Sequence, residues 1–370
     1  MIKTIPVWTN NPRQHIQEIV EDHANIESVV FNTLNEIKFN LIGGDLTFFD
    51  DCIEVCNKYN IPILLLTTFC REFNEKQIDE INPLYRNLKI IHWPSYWFFR
   101  TYHYMVTNQE GYSENIKLGL DITDNAVNLN KYRINHLYIT MNHLAKDHRC
   151  MMMDMLAKYD LIDKGAIAWW DSLRYPDHVR AEIPEGMTDS EYCGLHGGYQ
   201  FKYWKPRQML LDQTGRFSNQ EKLPKEYTNS FIQVVTESDS GLFFISEKTC
   251  VPLIFNQLFL VHGARYFHKY LEQFGFKLYD ELFDYSFDNC ESVLERAAGI
   301  AENVAKYASY TESELLSILE SVKQKIQYNR IRAVELAIKE FPNEVQQSVD
   351  AKIIRPSDFM DITTLVQSIL

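Results

Sequence analysis

The stretch over 231–288 constrains the fold of this chain more than any other part of the sequence. Two short apolar runs, 231–235 and 258–262, have the length and the residue types of buried β-strands. A polar loop and a helical pattern separate them, and a second helix is predicted over 265–274, ending at Gly275. The order of strand, helix, strand and helix predicts a parallel βαβ unit.

Several polar residues follow these predicted strands at the point where a ligand site is expected. In parallel sheets, ligands bind beyond the carboxyl ends of the strands. Thr236 and Glu237 follow the first strand, and Gly263 follows the second. Ser246 is a suitable N-cap for the helix between them. We therefore expect these residues to lie along one edge of the sheet.

The dipeptide Glu247-Lys248 opens the predicted helix and adds two charges to this edge. A helix N-terminus attracts anions, and the compact ammonium of Lys248 suits a phosphate. The Glu247 carboxylate is able to accept hydrogen bonds from a ribose diol. The pair therefore fits a nucleotide diphosphate, although the dipeptide alone is more typical of an ordinary exposed ion pair at the start of a helix.

The residues around this pair resemble the donor-binding half of GT-B glycosyltransferases, in particular the fucosyltransferase-like enzymes. The residues that carry the resemblance are, in chain order, Phe244, Ser246, Glu247, Lys248, Pro252 and Gly263. Gly275-Phe276 and the run 284–288 also resemble phage and marine bacterial glycosyltransferase-like proteins. The resemblance covers roughly residues 134–310. Fucosyltransferases often have tyrosine where this chain has Phe244, so one hydroxyl contact to the donor is missing.

This resemblance implies an α/β fold with two Rossmann-like domains of the GT-B type and a cleft between them. It implies an N-terminal acceptor domain over 1–133 and a nucleotide-sugar-binding domain over 134–341, followed by a segment over 342–370 that crosses back to the first domain. The predicted donor-binding residues are Arg149, Thr236, Glu237, Phe244, Ser246, Glu247, Lys248 and Gly263.

The pattern of the first domain supports an alternation of strands and helices. Strands are predicted at 27–32, 39–42, 61–67 and 88–92, with a helix over 46–59. This alternation is typical of a Rossmann-like domain with a parallel sheet.

Arg149 follows a predicted strand and lies in the first turn of a predicted helix over 148–159. The helix dipole disfavours a cation there, so an arginine at this place indicates an anionic partner, which the guanidinium binds in a two-pronged manner. The alternative is a solvated arginine. By resemblance, Arg149 binds the diphosphate.

Four residues are candidates for the acceptor side. Asp45 follows two glycines and is the first candidate for the general base, although it equally fits a helix cap. His92 ends a predicted strand and is either a second candidate base or a hydrogen-bonded structural histidine. Trp97 and Tyr199 belong to aromatic runs that stack on a sugar or form part of a core.

Composition excludes several classes of protein. The net charge is −13, which disfavours non-specific nucleic-acid binding. The seven cysteines contain no CxxC pair, so we expect reduced thiols and no zinc site. No Asp-x-Asp pair closes a strand, which favours a mechanism with no metal and no cofactor. The sequence contains no apolar run long enough to span a membrane and no signal-peptide core, so the expected location is the cytoplasm, or the host cytoplasm if the chain is phage-encoded.

The function predicted from these features is the metal-independent transfer of a sugar from a nucleotide-diphosphate donor to a hydroxyl acceptor. Asp45, Arg149 and Lys248 are the predicted catalytic residues, and the partners are a nucleotide sugar and an acceptor glycan. A first alternative is the same chemistry on a hydroxymethylated base of phage DNA. A second is a non-catalytic binding or virion-associated protein with a decayed GT-B fold.

Overall fold

The structure is a computed structural model of the chain. It describes residues 2–6, 12–26, 28–32, 47–67, 88–92, 97–98, 100–102, 133–172, 198–207, 209, 223–241 and 243–338. Within these ranges the chain is mixed α/β and contains two parallel four-stranded sheets. It divides into two compact units, Met1–Phe99 with Leu336–Leu370 and Arg100–Glu335. The predicted domain limits stay predictions.

The first unit contains a parallel sheet with strands in sequence order, β1-β2-β3-β4. The strands are β1 (Ile2–Pro6), β2 (Ser28–Asn32), β3 (Ile63–Thr67) and β4 (Leu88–His92). The helices are α1 (Pro12–Asp22) and α2 (Thr47–Lys58). The predictions of β2, β3, β4 and α2 are confirmed. Strand β1 was not predicted, and the predicted strand at 39–42 lies outside the described residues.

The core of the first unit forms where α2 packs on the sheet. Cys52, Ile53 and Cys56 lie on the buried face of α2, together with Val29 and Ile63 of the strands. Burial raises the pKa of the Cys56 thiol to about 12, so this cysteine behaves as a small apolar side chain. The described cysteines are free thiols.

The second unit is built on a parallel sheet of order β6-β5-β7-β8. Its strands are β5 (His136–Leu144), β6 (Gly165–Ser172), β7 (Ser230–Thr236) and β8 (Leu258–His262). Its helices are α3 (Asp147–Lys158), α4 (Glu247–Ile254), α5 (Phe267–Gln273), α6 (Val293–Ala305) and α7 (Glu312–Ile338). Every residue of β7 and β8 is buried, as is typical of parallel strands covered on both faces.

The predicted βαβ unit is confirmed as β7, α4 and β8, with β7 and β8 paired in parallel. Helix α5 ends as predicted at Gly275, which adopts a left-handed conformation with a φ of 88°. The amide of Phe276 donates a hydrogen bond to the carbonyl of Leu271, which satisfies this carbonyl at the end of the helix. None of the described helices is long and apolar enough to cross a membrane.

Candidate functional site

The loops that follow β5, β7 and β8 meet at one end of the second sheet, which we call the carboxyl edge. Helix α3 begins at Asp147, shortly after β5, and helix α4 begins at Glu247, after the β7 loop. Two helix N-termini therefore start from the loops of adjacent strands β5 and β7. Each helix N-terminus carries a partial positive charge from the helix dipole, which favours an anion.

Glu237 organises the β7 loop from within the protein. Its side chain is fully buried, and its carboxylate accepts hydrogen bonds from the Ser246 amide, the Ser246 hydroxyl, the Thr249 hydroxyl and the Ser238 amide. Burial raises the pKa of Glu237, while the Lys248 charge and the bonds from Ser246 and Thr249 act in the opposite direction. Glu237 was predicted to contact the donor, but its buried carboxylate is occupied in joining the β7 loop to α4.

The start of α4 has the predicted cap. The Ser246 hydroxyl accepts a hydrogen bond from the Lys248 amide, with an N–O distance of 3.3 Å. The Lys248 ammonium lies 2.5 Å from Oε1 of Glu247 and 3.2 Å from the Ser238 hydroxyl. It is held between the first turn of α4 and the β7 loop, and its side chain remains 16% exposed.

Arg149 and Glu247 interact although 98 positions separate them in the sequence. Burial acts to raise the pKa of Glu247, but the charges of Lys248 and Arg149 and the hydrogen bond from Lys248 outweigh it, so the pKa is lowered. Glu247 is therefore ionised at neutral pH. Its second oxygen, Oε2, is buried without a hydrogen-bond partner among the described residues. The structure thus pairs two predicted donor-site residues, Glu247 and Lys248, and the charge of a third, Arg149, acts on the same carboxylate.

Two histidines behind the carboxyl edge were not assigned a role by the sequence. The His148 ring bonds to the Glu237 carbonyl through Nε2 at 2.7 Å, and the His262 ring bonds to the Val293 carbonyl through Nε2 at 3.0 Å. The two ring centroids are 6.0 Å apart. Burial lowers the pKa of both, that of His262 to about 4, so both rings are neutral at pH 7. The sequence signal for them was their place near the carboxyl ends of strands, since His262 is the last residue of β8 and His148 lies in the first turn of α3.

Arg296 of α6 is a further residue that the sequence did not indicate. Its buried guanidinium donates hydrogen bonds to the carbonyls of Ser240, Gly263, Cys290 and Glu291. It therefore ties the loops after β7 and β8 to the turn before α6. The residues next to Arg296 in the sequence do not predict that it joins loops, because an arginine is common in an amphipathic helix.

Three other predicted donor residues are buried and contribute to the packing beneath the carboxyl edge. The Thr236 hydroxyl donates to the Asn142 side chain, joining β7 to β5. Phe244 is buried. A Cβ at Gly263 would lie 2.6 Å from the Phe267 ring, so close packing explains the glycine. None of these side chains is exposed for direct contact with a donor in this conformation.

Of the four predicted acceptor residues, the structure describes the side chains of Trp97 and Tyr199. Asp45 lies outside the described residues, and of His92 the structure describes the backbone at the end of β4. Trp97 is buried, which favours its interpretation as a core residue. The Tyr199 hydroxyl donates to the buried Asp154 carboxylate at 2.8 Å, so it is used in the structure of the second unit.

The described residues contain no group of three or more His, Cys, Asp and Glu side chains that could hold a metal ion. The prediction that the chain works without a metal or cofactor stays a prediction.

Comparison of the chain with protein-family models, with curated proteins and with solved structures gives no match in any of the three.

Proposed function

We propose that the chain is a glycosyltransferase of the GT-B type, with two Rossmann-like domains, that moves a sugar from a nucleotide-diphosphate donor to a hydroxyl acceptor. The observation that carries the proposal is the ion pair of Lys248 with Glu247, on which the charge of Arg149 also acts, at the carboxyl edge of a parallel sheet where two helices begin. Two cations beside two helix N-termini match the charge of a diphosphate.

In the proposed reaction, the bond between the sugar C1 and the leaving phosphate oxygen breaks while the acceptor oxygen bonds to C1. Negative charge grows on the leaving diphosphate, and Arg149 and Lys248 stabilise it there as fixed positive charges. The acceptor hydroxyl gives its proton to a general base, for which Asp45 is the first candidate and His92 the second.

The remaining residues of the edge position these cations. Glu247 is ionised and holds Lys248 through Oε1, and its buried Oε2 becomes the acceptor for a ribose hydroxyl only when donor binding exposes it. Glu237 binds Ser246 and Thr249 and so holds the N-terminus of α4 in place. We therefore assign Glu247 to donor contact and Glu237 to positioning.

The test is a thermal-shift panel of nucleotide diphosphates and nucleotide sugars. A ligand that binds the native state raises its apparent stability. We expect a rise in Tm with one nucleotide base, lost in Lys248→Ala and in Arg149→Ala. The matched control is Lys225→Ala, because Lys225 is exposed and lies before β7, at the opposite end of the sheet.

Arg149 is buried, so a variant that unfolds would be uninformative about binding. Arg149→Lys keeps the charge and removes the two-pronged geometry, and we expect it to bind the same nucleotide more weakly while melting as a folded protein. Turnover of the identified donor should be lost in Lys248→Ala. The absence of any shift with folded wild-type protein at millimolar nucleotide would contradict the proposal and favour the non-catalytic binding protein.

A further inference from the structure

A second possible ligand site lies in the second unit, away from the carboxyl edge. It is an open cavity of about 560 Å³, which is within the range of about 300–1,000 Å³ typical of small-ligand sites. One wall is formed by the end of α3 and the turn into β6, with Ala157, Asp160, Ile162 and Asp163. The other wall is the segment 203–207.

The segment that forms the second wall is held against α3 by two carboxylates. Asp147, in the first turn of α3, accepts a hydrogen bond from the Tyr199 amide. Asp154, about two turns further along the same face of α3, is buried and accepts hydrogen bonds from the amides of Lys202, Tyr203 and Trp204. The segment therefore runs along α3 from its first turn to its end.

Aromatic packing fixes the same wall. The Trp204 ring packs edge to face against Trp169 of β6, with a centroid distance of 5.1 Å, and against Phe201 at 5.5 Å. Beyond it, Met209 exchanges two backbone hydrogen bonds with Trp169. The wall is thus formed before any ligand binds, which lowers the entropic cost of binding.

The cavity is separate from the carboxyl edge because it lies at the other end of α3. Helix α3 has 12 residues, which corresponds to a length of about 18 Å at 1.5 Å per residue. A ligand that contacts the cavity walls is therefore not in contact with Arg149 or Lys248.

The cavity presents both hydrogen-bond donors and acceptors. Asp160 and Asp163 are exposed on one wall, and Lys205 and Arg207 are exposed on the other. Among the described residues, these four side chains take part in no hydrogen bond or ion pair. Tyr203 lies beside the cations and is 54% exposed, so part of its ring is open to a ligand.

This lining selects against several kinds of ligand. Two carboxylates repel a phosphate, and the four charges sum to zero, so an anion gains little there. Four charged side chains also disfavour an apolar ligand, since binding would remove them from water without compensation. A polyhydroxylated neutral molecule meets neither objection.

We infer that this cavity binds an uncharged oligosaccharide. Sugar hydroxyls donate to Asp160 and Asp163 and accept from Lys205 and Arg207. The apolar C–H face of a pyranose ring packs on the exposed ring of Tyr203. The inference does not depend on the proposed function, because it uses none of the residues assigned to the donor.

The test is isothermal titration of the full chain with uncharged trisaccharides of glucose, galactose, mannose and N-acetylglucosamine. We expect at least one to bind, and we expect Tyr203→Ala and Arg207→Ala each to weaken that binding at least tenfold. The matched controls are Tyr310→Ala, another exposed tyrosine, and Lys225→Ala, another exposed cation. Both controls should bind like the wild type.

Four results would overturn the inference. The first three are no binding of any trisaccharide at millimolar concentration, binding that Tyr203→Ala leaves unchanged, and tighter binding of the zwitterion triglycine than of any sugar. Saccharide binding that disappears in Lys248→Ala would also overturn it, because the sugar would then occupy the carboxyl edge. Pyrophosphate added as a competitor should leave saccharide binding unchanged, whether or not the donor proposal is correct.

Discussion

Glu237 and Arg296 are buried and hold the loops of the carboxyl edge in the same way. Glu237 accepts hydrogen bonds from the β7 loop and from α4, and Arg296 donates to carbonyls of three loops. A buried charge is costly unless hydrogen bonds satisfy it, so loss of one partner destabilises the fold strongly. These two residues therefore position the edge without being exposed to a ligand.

The buried His262 makes the stability of the protein sensitive to acid. Burial lowers its pKa to about 4, while an unfolded histidine has a pKa of about 6.5. Between these values the unfolded state binds more protons than the folded state, so the free energy of unfolding falls as pH drops from about 6.5 to about 4, by at most about 3 kcal/mol. Burial also lowers the pKa of His148, which acts in the same direction.

Urea denaturation of wild type and His262→Gln at pH 7 and pH 4.5 measures this contribution. Glutamine keeps a donor for the Val293 carbonyl and removes the titrating group. We expect the variant to lose less stability than the wild type on acidification. An equal loss in both proteins would show that His262 does not contribute.

Helix α4 is held at its start by a cluster of polar contacts. It has only eight residues and contains Pro252, which removes one backbone donor. Its start is fixed by Ser246, which caps the helix and also donates to Glu237 at 2.6 Å. Helix α6 has the same kind of cap at Ser292, but there the cap is exposed.

The two caps offer a matched comparison at the level of the element. Ser292→Ala removes an ordinary cap, and we expect a loss of about 1 kcal/mol in the free energy of unfolding. Ser246→Ala also removes a donor to the buried Glu237 carboxylate, so we expect a total loss of about 2–4 kcal/mol. Chemical denaturation measures both. Equal losses would contradict the structural role assigned to the Glu237 contact.

The whole chain has a net charge of −13, and the described residues place cations at both candidate sites. Arg149 and Lys248 lie at the carboxyl edge, and Lys205 and Arg207 lie at the cavity. A pair of cations is enough to bind a diphosphate or to donate hydrogen bonds to a sugar. They do not form the extended basic surface that duplex DNA requires.

This charge distribution leads to a prediction about DNA. We expect no binding of unmodified duplex DNA by fluorescence anisotropy at about 0.15 M salt. Affinity that is measurable at this ionic strength and falls steeply with added salt would contradict the prediction. It would favour the alternative acceptor, a hydroxymethylated base of phage DNA.

Local chemistry explains which parts of the structure were predictable. The cap at Ser246 and the left-handed Gly275 depend on a few neighbouring residues, and both were predicted. Strands β7 and β8 were predicted because parallel strands buried on both faces are continuous apolar runs. Strand β1 was missed because its five residues include a lysine, a threonine and a proline and show no clear apolar pattern.

The sequence by itself determined the βαβ order of the second unit and the edge on which its polar residues lie, since strand order and helix direction follow from apolar pattern and connection rules. Only the tertiary structure decided which of those residues are available to a ligand. Glu237 and Glu247 look alike in the sequence, but one is enclosed by Ser246 and Thr249 while the other interacts with Arg149 and Lys248. The reason is that the burial and pairing of a charge depend on loops that are far apart in the chain.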